Sequence, residues 1–275
     1  MRFLLSVSRP RFWMYTAGPF LLGYASGLPN GWHGLYPPAF WLLLIFYLLP
    51  ANLLLYGIND WFDADTDALN AKKEAQEHRL QNAERRRLKS VLLICVFLSV
   101  AVLALLPSQT WWLHVLFVAL SVAYSAPPLR LKARPLLDSY SNVLYVLPGF
   151  IGYTIKAGTL PPLAIVIAAI GWAAGMHAYS AIPDIAPDRA AGITTVAVLL
   201  GKTGTLVFVG LNWLIFALLT ISVIGAVGVV TLVYPLLIAA LLLRPTLSIT
   251  RVYWWLPLIN GLMGFAAFAY KTLLM

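Results

Sequence analysis

Residues 59–67 read NDWFDADTD, which puts four aspartates in nine positions of a 275-residue chain with only ten acidic residues. Carboxylates crowded this closely repel one another and are stable together when a cation neutralises them. Carboxylate and amide oxygens suit a hard divalent ion, Mg²⁺, Ca²⁺ or Mn²⁺, rather than zinc. On a helix, Asp63 falls about 60° and Asp67 about 20° from Asp60, with Asn59 about 100° away on the same side. Asp65 falls about 140° off in the other direction. The stretch therefore reads as Asn59, Asp60, Asp63 and Asp67 on one face, with Asp65 set apart. A second group, IPDIAPD at 182–188, holds Asp184 and Asp188. These would lie about 40° apart on a helix, although Pro187 disfavours regular helix there. Mg²⁺ takes one or two protein carboxylates and completes its octahedron with water and phosphate. Two such groups meeting in one cavity would hold a diphosphate between metal ions.

The elements that must position these residues are apolar. The chain is 61% hydrophobic and 11% charged, with a mean hydropathy of +0.82, whereas a soluble domain is roughly 25% charged. A helix crosses a bilayer with about 20 apolar residues. Nine stretches read as spans: 11–28, 39–58, 90–106, 110–125, 138–156, 162–181, 204–222, 225–243 and 253–272. The short third and fourth could instead form one helical hairpin turning at Pro107–Ser108. Of 19 Lys and Arg, only Lys156 and Lys271 fall on one side of this layout. The positive-inside rule then places the N-terminus in the cytoplasm and the C-terminus outside. The expected fold is an all-α, multi-pass protein of the cell membrane with nine transmembrane helices. Both Asp motifs would face a cytoplasmic-side cavity. No acid lies near the middle of a span, which argues against a midmembrane proton or ion path.

The remaining features narrow the class. The net charge of +9 describes one membrane face, suited to anionic headgroups and anionic substrates. Nucleic acid is not an expected partner, because no soluble basic domain exists. The single Cys95 allows no intrachain disulfide, and Arg9, Pro10 and Arg11 interrupt any cleavable signal peptide. The charged segment 71–89 reads as a solvated helical surface. The chain reads as one domain, with a faint internal repeat between about 9–125 and 134–243. It rests on GPFLLGY (18–24) matching PGFIGY (148–153), each followed one span later by an Asp cluster. His33, His78, His114 and His177 show no metal spacing. GKTG at 201–204 is not a P-loop, since Val196 stands where the first glycine is required. Gly171 and Gly175 form a GxxxG suited to close helix packing.

NDWFDADTD fits an NDxxDxxxD pattern and DIAPD a DxxxD pattern, and on these motifs the whole chain resembles the UbiA-type intramembrane prenyltransferases. The resemblance implies that Asn59, Asp60, Asp63, Asp67, Asp184 and Asp188 bind Mg²⁺ and the diphosphate of an isoprenoid donor. Asp60, Asp63, Asp184 and Asp188 would be catalytic. Relatives acting on aromatic acids often read KDIPD where this chain has SAIPD, so Ser180 and Ala181 replace a Lys and an Asp. The positive charge for the diphosphate must then come from elsewhere. Arg130 and Lys132 are the first candidates and Arg189 the next, since guanidinium suits phosphate. SRPRFWMYTAGPFLLGYASG, PANLLLYGINDWFD, YSAPPLRLKARPLLDSYSN and MHAYSAIPDIAPDRAAGI resemble the branch that elongates lycopene. That implies transfer of a dimethylallyl group to the end of a long polyene, with water added in some members.

An allylic cation formed this way needs a water-poor pocket and aromatic faces, for which Tyr56, Tyr124 and Tyr179 are candidates. No residue stands out as the base for the last proton. The expected partners are the isoprenoid diphosphate, a hydrophobic acceptor and membrane lipid. Two alternatives stand beside this reading: prenylation of an aromatic or quinone precursor, and a transporter or channel whose acids gather cations.

Overall fold

The structure, a computed structural model, describes residues 2–28, 37–67 and 80–273, and every regular element in them is helical. The side chains of Asp65 and Asp67 lie outside the described residues, as do His33, His78 and residues 71–79 of the charged segment. In chain order the helices begin with α1 (Arg2–Ser8), α2 (Met14–Ser26), α3 (Pro38–Leu48) and α4 (Pro50–Asp67). They continue with α5 (Arg85–Val102), α6 (Trp111–Ala123), α7 (Leu137–Tyr140), α8 (Leu147–Ala157) and α9 (Leu163–Ala181). The last are α10 (Ile185–Ala190), α11 (Val196–Ile224), α12 (Val233–Leu243) and α13 (Ile249–Leu273).

Five helical runs among the described residues are long and apolar enough to cross a membrane: Pro38–Asp63, Arg85–Leu105, Leu163–Ala190, Val196–Leu243 and Ile249–Thr272. The protein is therefore a multi-pass membrane protein. The other expected spans are helical but shortened by local breaks. Pro107 separates α5 from α6 with extended backbone (φ −57°, ψ 138°), as the hairpin alternative requires. A 3₁₀ segment, Ser141–Tyr145, divides α7 from α8. The run Val196–Leu243 is itself interrupted at Gly225, whose φ of 64° suits glycine. Helix α12 returns along α11, with the Tyr234 ring 5.2 Å from Trp213 and 5.6 Å from Phe216.

The chain divides into two compact units. The first comprises Met1–Leu129, Leu144–Leu160 and Pro257–Met275. In it α2 and α8 approach so closely that a Cβ on Gly152 would lie 2.5 Å from the Phe20 carbonyl oxygen, and one on Gly23 would collide with Gly149. The two segments that resemble one another, 18–24 and 148–153, are the ones that meet here. The second unit comprises Arg130–Val143 and Pro161–Leu256. There α9 packs on α11, with Gly171 against the Asn212 backbone and Gly175 against the Trp213 indole. The GxxxG thus serves packing within the chain.

One break decides how the first Asp motif is presented. Pro50 has no N–H and cannot continue the hydrogen-bond ladder of α3, and Leu49 leaves helical geometry at φ −120°, ψ −62°. Carbonyls freed inside an apolar layer must find other donors. The Tyr47 carbonyl accepts from Thr16 Oγ1 (2.6 Å) and Asn52 Nδ2 (3.0 Å). The Leu48 carbonyl accepts from Asn52 Nδ2 (2.9 Å), which also reaches Thr16 Oγ1 (2.7 Å). Below this joint, buried His114 meets Tyr47 Oη at 3.2 Å and Ser99 Oγ at 2.9 Å, tying α3, α5 and α6 together. Asn52→Leu removes the donor while keeping the volume. It should lower stability by about 1–3 kcal/mol, read as a drop in the unfolding temperature of the detergent-solubilised protein; an unchanged midpoint would show the break is held by other contacts.

Candidate active site

Helix α4 carries a polar stripe on an otherwise apolar body. Asn52, Tyr56, Asn59, Asp60 and Asp63 recur at spacings of three and four, which places them along one face. Asp60 and Asp63 are almost fully buried, 1% and 2% exposed. A carboxylate taken out of water costs several kcal/mol unless it is matched by a cation and hydrogen bonds.

The match for Asp60 comes from 51 residues earlier in the chain. Arg9 Nη2 lies 2.8 Å from Asp60 Oδ1, with the two side chains 11% and 0% exposed. Helix α1 brings it there, docking Phe3 and Val7 into a cluster with Leu53, Leu54, Ile58 and Leu88. The chain then turns sharply at Arg9, which adopts left-handed backbone (φ 50°, ψ 73°) before Pro10. For a residue with a side chain this conformation costs roughly 1–3 kcal/mol and is kept where surrounding contacts impose it. The guanidinium also lies over the Tyr56 ring, 4.7 Å from its centroid, a cation–π contact.

Tyr56 belongs to an aromatic group within the first unit. Its hydroxyl accepts from Tyr145 Oη at 3.2 Å. Phe12 lies 6.0 Å from Tyr56 and 5.8 Å from Tyr15, and Tyr15 meets Tyr145 edge-on at 6.2 Å. Asn260 donates to Tyr15 Oη (3.0 Å). Asn59 donates to Ser125 Oγ (3.0 Å), joining the motif to the residues just after α6. Tyr124, half-buried, caps the C-terminus of that helix.

The second motif lies in the second unit. Asp184 closes a 3₁₀ turn, Ile182–Asp184, and is the N-cap of α10, whose first turn holds Asp188. Pro187 is accommodated because it falls in that first turn, where no intrahelical N–H bond is lost. Both carboxylates are half-buried and Arg189 is exposed. Arg130, half-buried, adopts left-handed backbone (φ 40°) at the start of the 3₁₀ turn that contains Lys132. Tyr179 is fully buried; its ring stacks on Trp213 at 6.1 Å and its hydroxyl donates to the Ile249 carbonyl (3.0 Å).

Arg9, Tyr15 and Tyr145 were not singled out by motif or spacing. Arg9 reads in the sequence as one of many cytoplasmic bases, and only its left-handed turn and its partner distinguish it. Among the described residues no three His, Cys, Asp or Glu side chains are grouped as a ready-made metal cage. The donor set nevertheless fits magnesium. Asn59, Asp60 and Asp63 offer oxygen ligands only, a cationic group already stands on Asp60, and Mg²⁺ uses few protein ligands beside phosphate and water.

Apolar helices, acid-bearing helix ends and aromatic surroundings are the parts expected of an enzyme set in a membrane. Residues 12–256 match the model of the UbiA prenyltransferase family, and the chain belongs to that family: it is a prenyltransferase. It is 44% identical to a lycopene elongase/hydratase of Halobacterium salinarum, over 96% of this chain and 94% of the relative. A lycopene elongase/hydratase of Haloferax volcanii is 41% identical over 95% and 86%. Among solved structures, a UbiA homolog from Archaeoglobus fulgidus bound to GPP and Mg²⁺ superposes with a TM-score of 0.75 at 24% identity, covering 97% of this chain and 99% of that one. The apo structure of a UbiA homolog from Aeropyrum pernix K1 gives the same score at 20% identity, covering 97% and 99%. At these identities the likeness establishes the fold.

If Arg9 is the counter-ion that keeps Asp60 buried, Arg9→Gln should cost about 3–5 kcal/mol. Adding Asp60→Asn should recover most of it. A double-mutant cycle of thermal unfolding measures this, and strictly additive losses would contradict the pairing.

Proposed function

We propose that the protein transfers a dimethylallyl group from its diphosphate to the end of lycopene, in a magnesium-dependent reaction at the cytoplasmic side of the cell membrane. The observation that carries this reading is the polar stripe of α4. Two buried carboxylates, Asp60 and Asp63, lie one turn from an aromatic group around Tyr56. A metal site that could hold a diphosphate and a cation-tolerant, water-poor site would thus be adjacent on one helix face. The relatives named lycopene elongase/hydratase support lycopene as the acceptor. The nine-span layout with a cytoplasmic N-terminus belongs to the same proposal and rests on the charge asymmetry.

In this reading Asn59, Asp60, Asp63 and Asp67 of the first motif and Asp184 and Asp188 of the second hold the metal and orient the donor. Bound Mg²⁺ supplies charge neutralisation for the departing diphosphate. Arg9, Arg130, Lys132 and Arg189 are the protein's own cations for its oxygens. Arg9 first neutralises Asp60 and then has a second anion to serve once donor and metal arrive. Tyr56 and Tyr145 face the allylic cation with ring electrons, and the apolar surroundings keep water from quenching it.

The test is the purified protein with lycopene, dimethylallyl diphosphate and Mg²⁺, with pigments identified by mass. Longer carotenoids are expected, and chelation of the metal should stop their formation. Asp63→Ala and Asp184→Ala should each lower the rate by about 10²-fold or more, while Asp65→Ala should leave it nearly unchanged. Absence of any elongated carotenoid would remove lycopene as acceptor. An Asp65→Ala loss equal to that of Asp63→Ala would overturn the helix-face assignment.

A further inference from the structure

Four bases stand at the start of α5, inside the first unit: Arg85, Arg86, Arg87 and Lys89. They divide into two pairs by what they touch. The Arg85 guanidinium lies over the Trp61 ring of α4 at 5.6 Å, and that of Arg87 over the Phe3 ring of α1 at 4.7 Å. These contacts fasten the beginning of α5 to its neighbours. Arg86 and Lys89 are exposed. Among the described residues, none of the four bases forms an ion pair. At 100° per residue, Leu93, Phe97 and Val100 fall within about 40° of Arg86, and Lys89 within about 60°. Those three apolar side chains are 62%, 72% and 62% exposed, whereas Leu88, Cys95 and Ser99 on the far side of the helix are buried. Two bases therefore stand at the head of a lipid-facing apolar stripe.

The stripe has the length of one leaflet. Arg86 and Val100 are fourteen residues apart, about 21 Å along the axis, and half a bilayer with its headgroups is roughly 20–22 Å thick. Orientation by positive charge alone would be served by bases anywhere at this end of the helix; here two of them share the meridian of the exposed stripe. Three bases in the first turn also oppose the helix dipole, a cost that an anion beside them removes. We propose that the start of α5 is a binding site for an acidic phospholipid, with its phosphate between Arg86 and Lys89 and an acyl chain along Leu93, Phe97 and Val100. A free phosphate would use the two bases but gain nothing from the stripe. The site is separate from both Asp motifs and does not rest on the prenyl-transfer reading. It bears on the architecture through Arg87, which lies over Phe3 of α1, the helix that delivers Arg9 to Asp60. A headgroup that neutralises the cluster steadies α5 against α1, so binding should stabilise the folded protein.

The test titrates the full-length protein, purified in detergent, with phosphatidylglycerol or with phosphatidylcholine of the same chains. Bound lipid is counted by native mass spectrometry, and the unfolding midpoint is followed in parallel. Phosphatidylglycerol should stay bound and raise the midpoint, and phosphatidylcholine should do neither. Arg86→Gln combined with Lys89→Gln should weaken phosphatidylglycerol binding by roughly tenfold or more and abolish the rise, with a midpoint in phosphatidylcholine no lower than the wild type's. If the double variant does not accumulate as folded protein, each single variant takes its place and should weaken binding by about fivefold. Arg244→Gln combined with Arg251→Gln removes the same charge from other exposed positions and should bind lipid as the wild type does. Equal losses in the two double variants would reduce the effect to net charge and overturn the site. Phosphatidylglycerol that fails to bind the wild type also overturns it. So does inorganic phosphate that displaces the lipid at matching concentration, since that marks an ion site in which the stripe has no part.

Discussion

Negative charge at the end of an apolar helix is the constraint on which the first unit depends. A carboxylate such as Asp60, with no access to water, is stable only beside a cation, and Arg9 is that cation. Much of the local architecture serves to deliver it. Helix α1 packs on α4 through Phe3 and Val7, and the backbone then accepts a left-handed residue so that the guanidinium can turn back. Tyr56, one turn before Asp60, covers its other side. The same arrangement suits the metal and diphosphate site proposed above. An arginine is always charged and can bind carboxylate or phosphate through the same fork of N–H groups.

Polar side chains inside the apolar layer repair breaks and set directions. Asn52 and Thr16 satisfy carbonyls freed at Pro50, so the chain can change course between α3 and α4 without leaving backbone groups unmatched. Tyr47, His114 and Ser99 link three helices in the same way. In the second unit, buried Asp138 accepts the Val196 N–H at the start of α11 and lies 3.9 Å from His177 Nε2. Where no polar bridge is used, glycine permits close contact, as between α2 and α8 and between α9 and α11.

The membrane class, the helical architecture and the family were legible in the sequence because they rest on local quantities. Hydropathy is carried by each segment alone, and the spacing of Asn59, Asp60 and Asp63 translates directly into a shared helix face. The GxxxG at Gly171 likewise announced a close contact, though not with Trp213 and Asn212. Span lengths were less legible. Proline, 3₁₀ turns and glycine at positive φ shorten helices without changing hydropathy, so Pro107 and Gly225 mattered more than the apolar counts. Pro187, expected to disturb a helix, fell in a first turn where its missing N–H costs nothing.

The sequence by itself therefore determined that this is an apolar, helical protein with acids at chosen helix ends, since composition and short-range spacing suffice for that, and its two Asp motifs carried the resemblance to the prenyltransferases. Only the tertiary structure decided which cation stands on Asp60, which phenols surround Tyr56, and that His177 stands before a buried acid. Arg9 and Asp60 are 51 residues apart, and Asp138 and His177 belong to different helices with no common motif. Such pairs arise because folding removes each charged group from water and leaves it only the partners that packing brings near, and nothing in the spacing of residues along the chain records that choice.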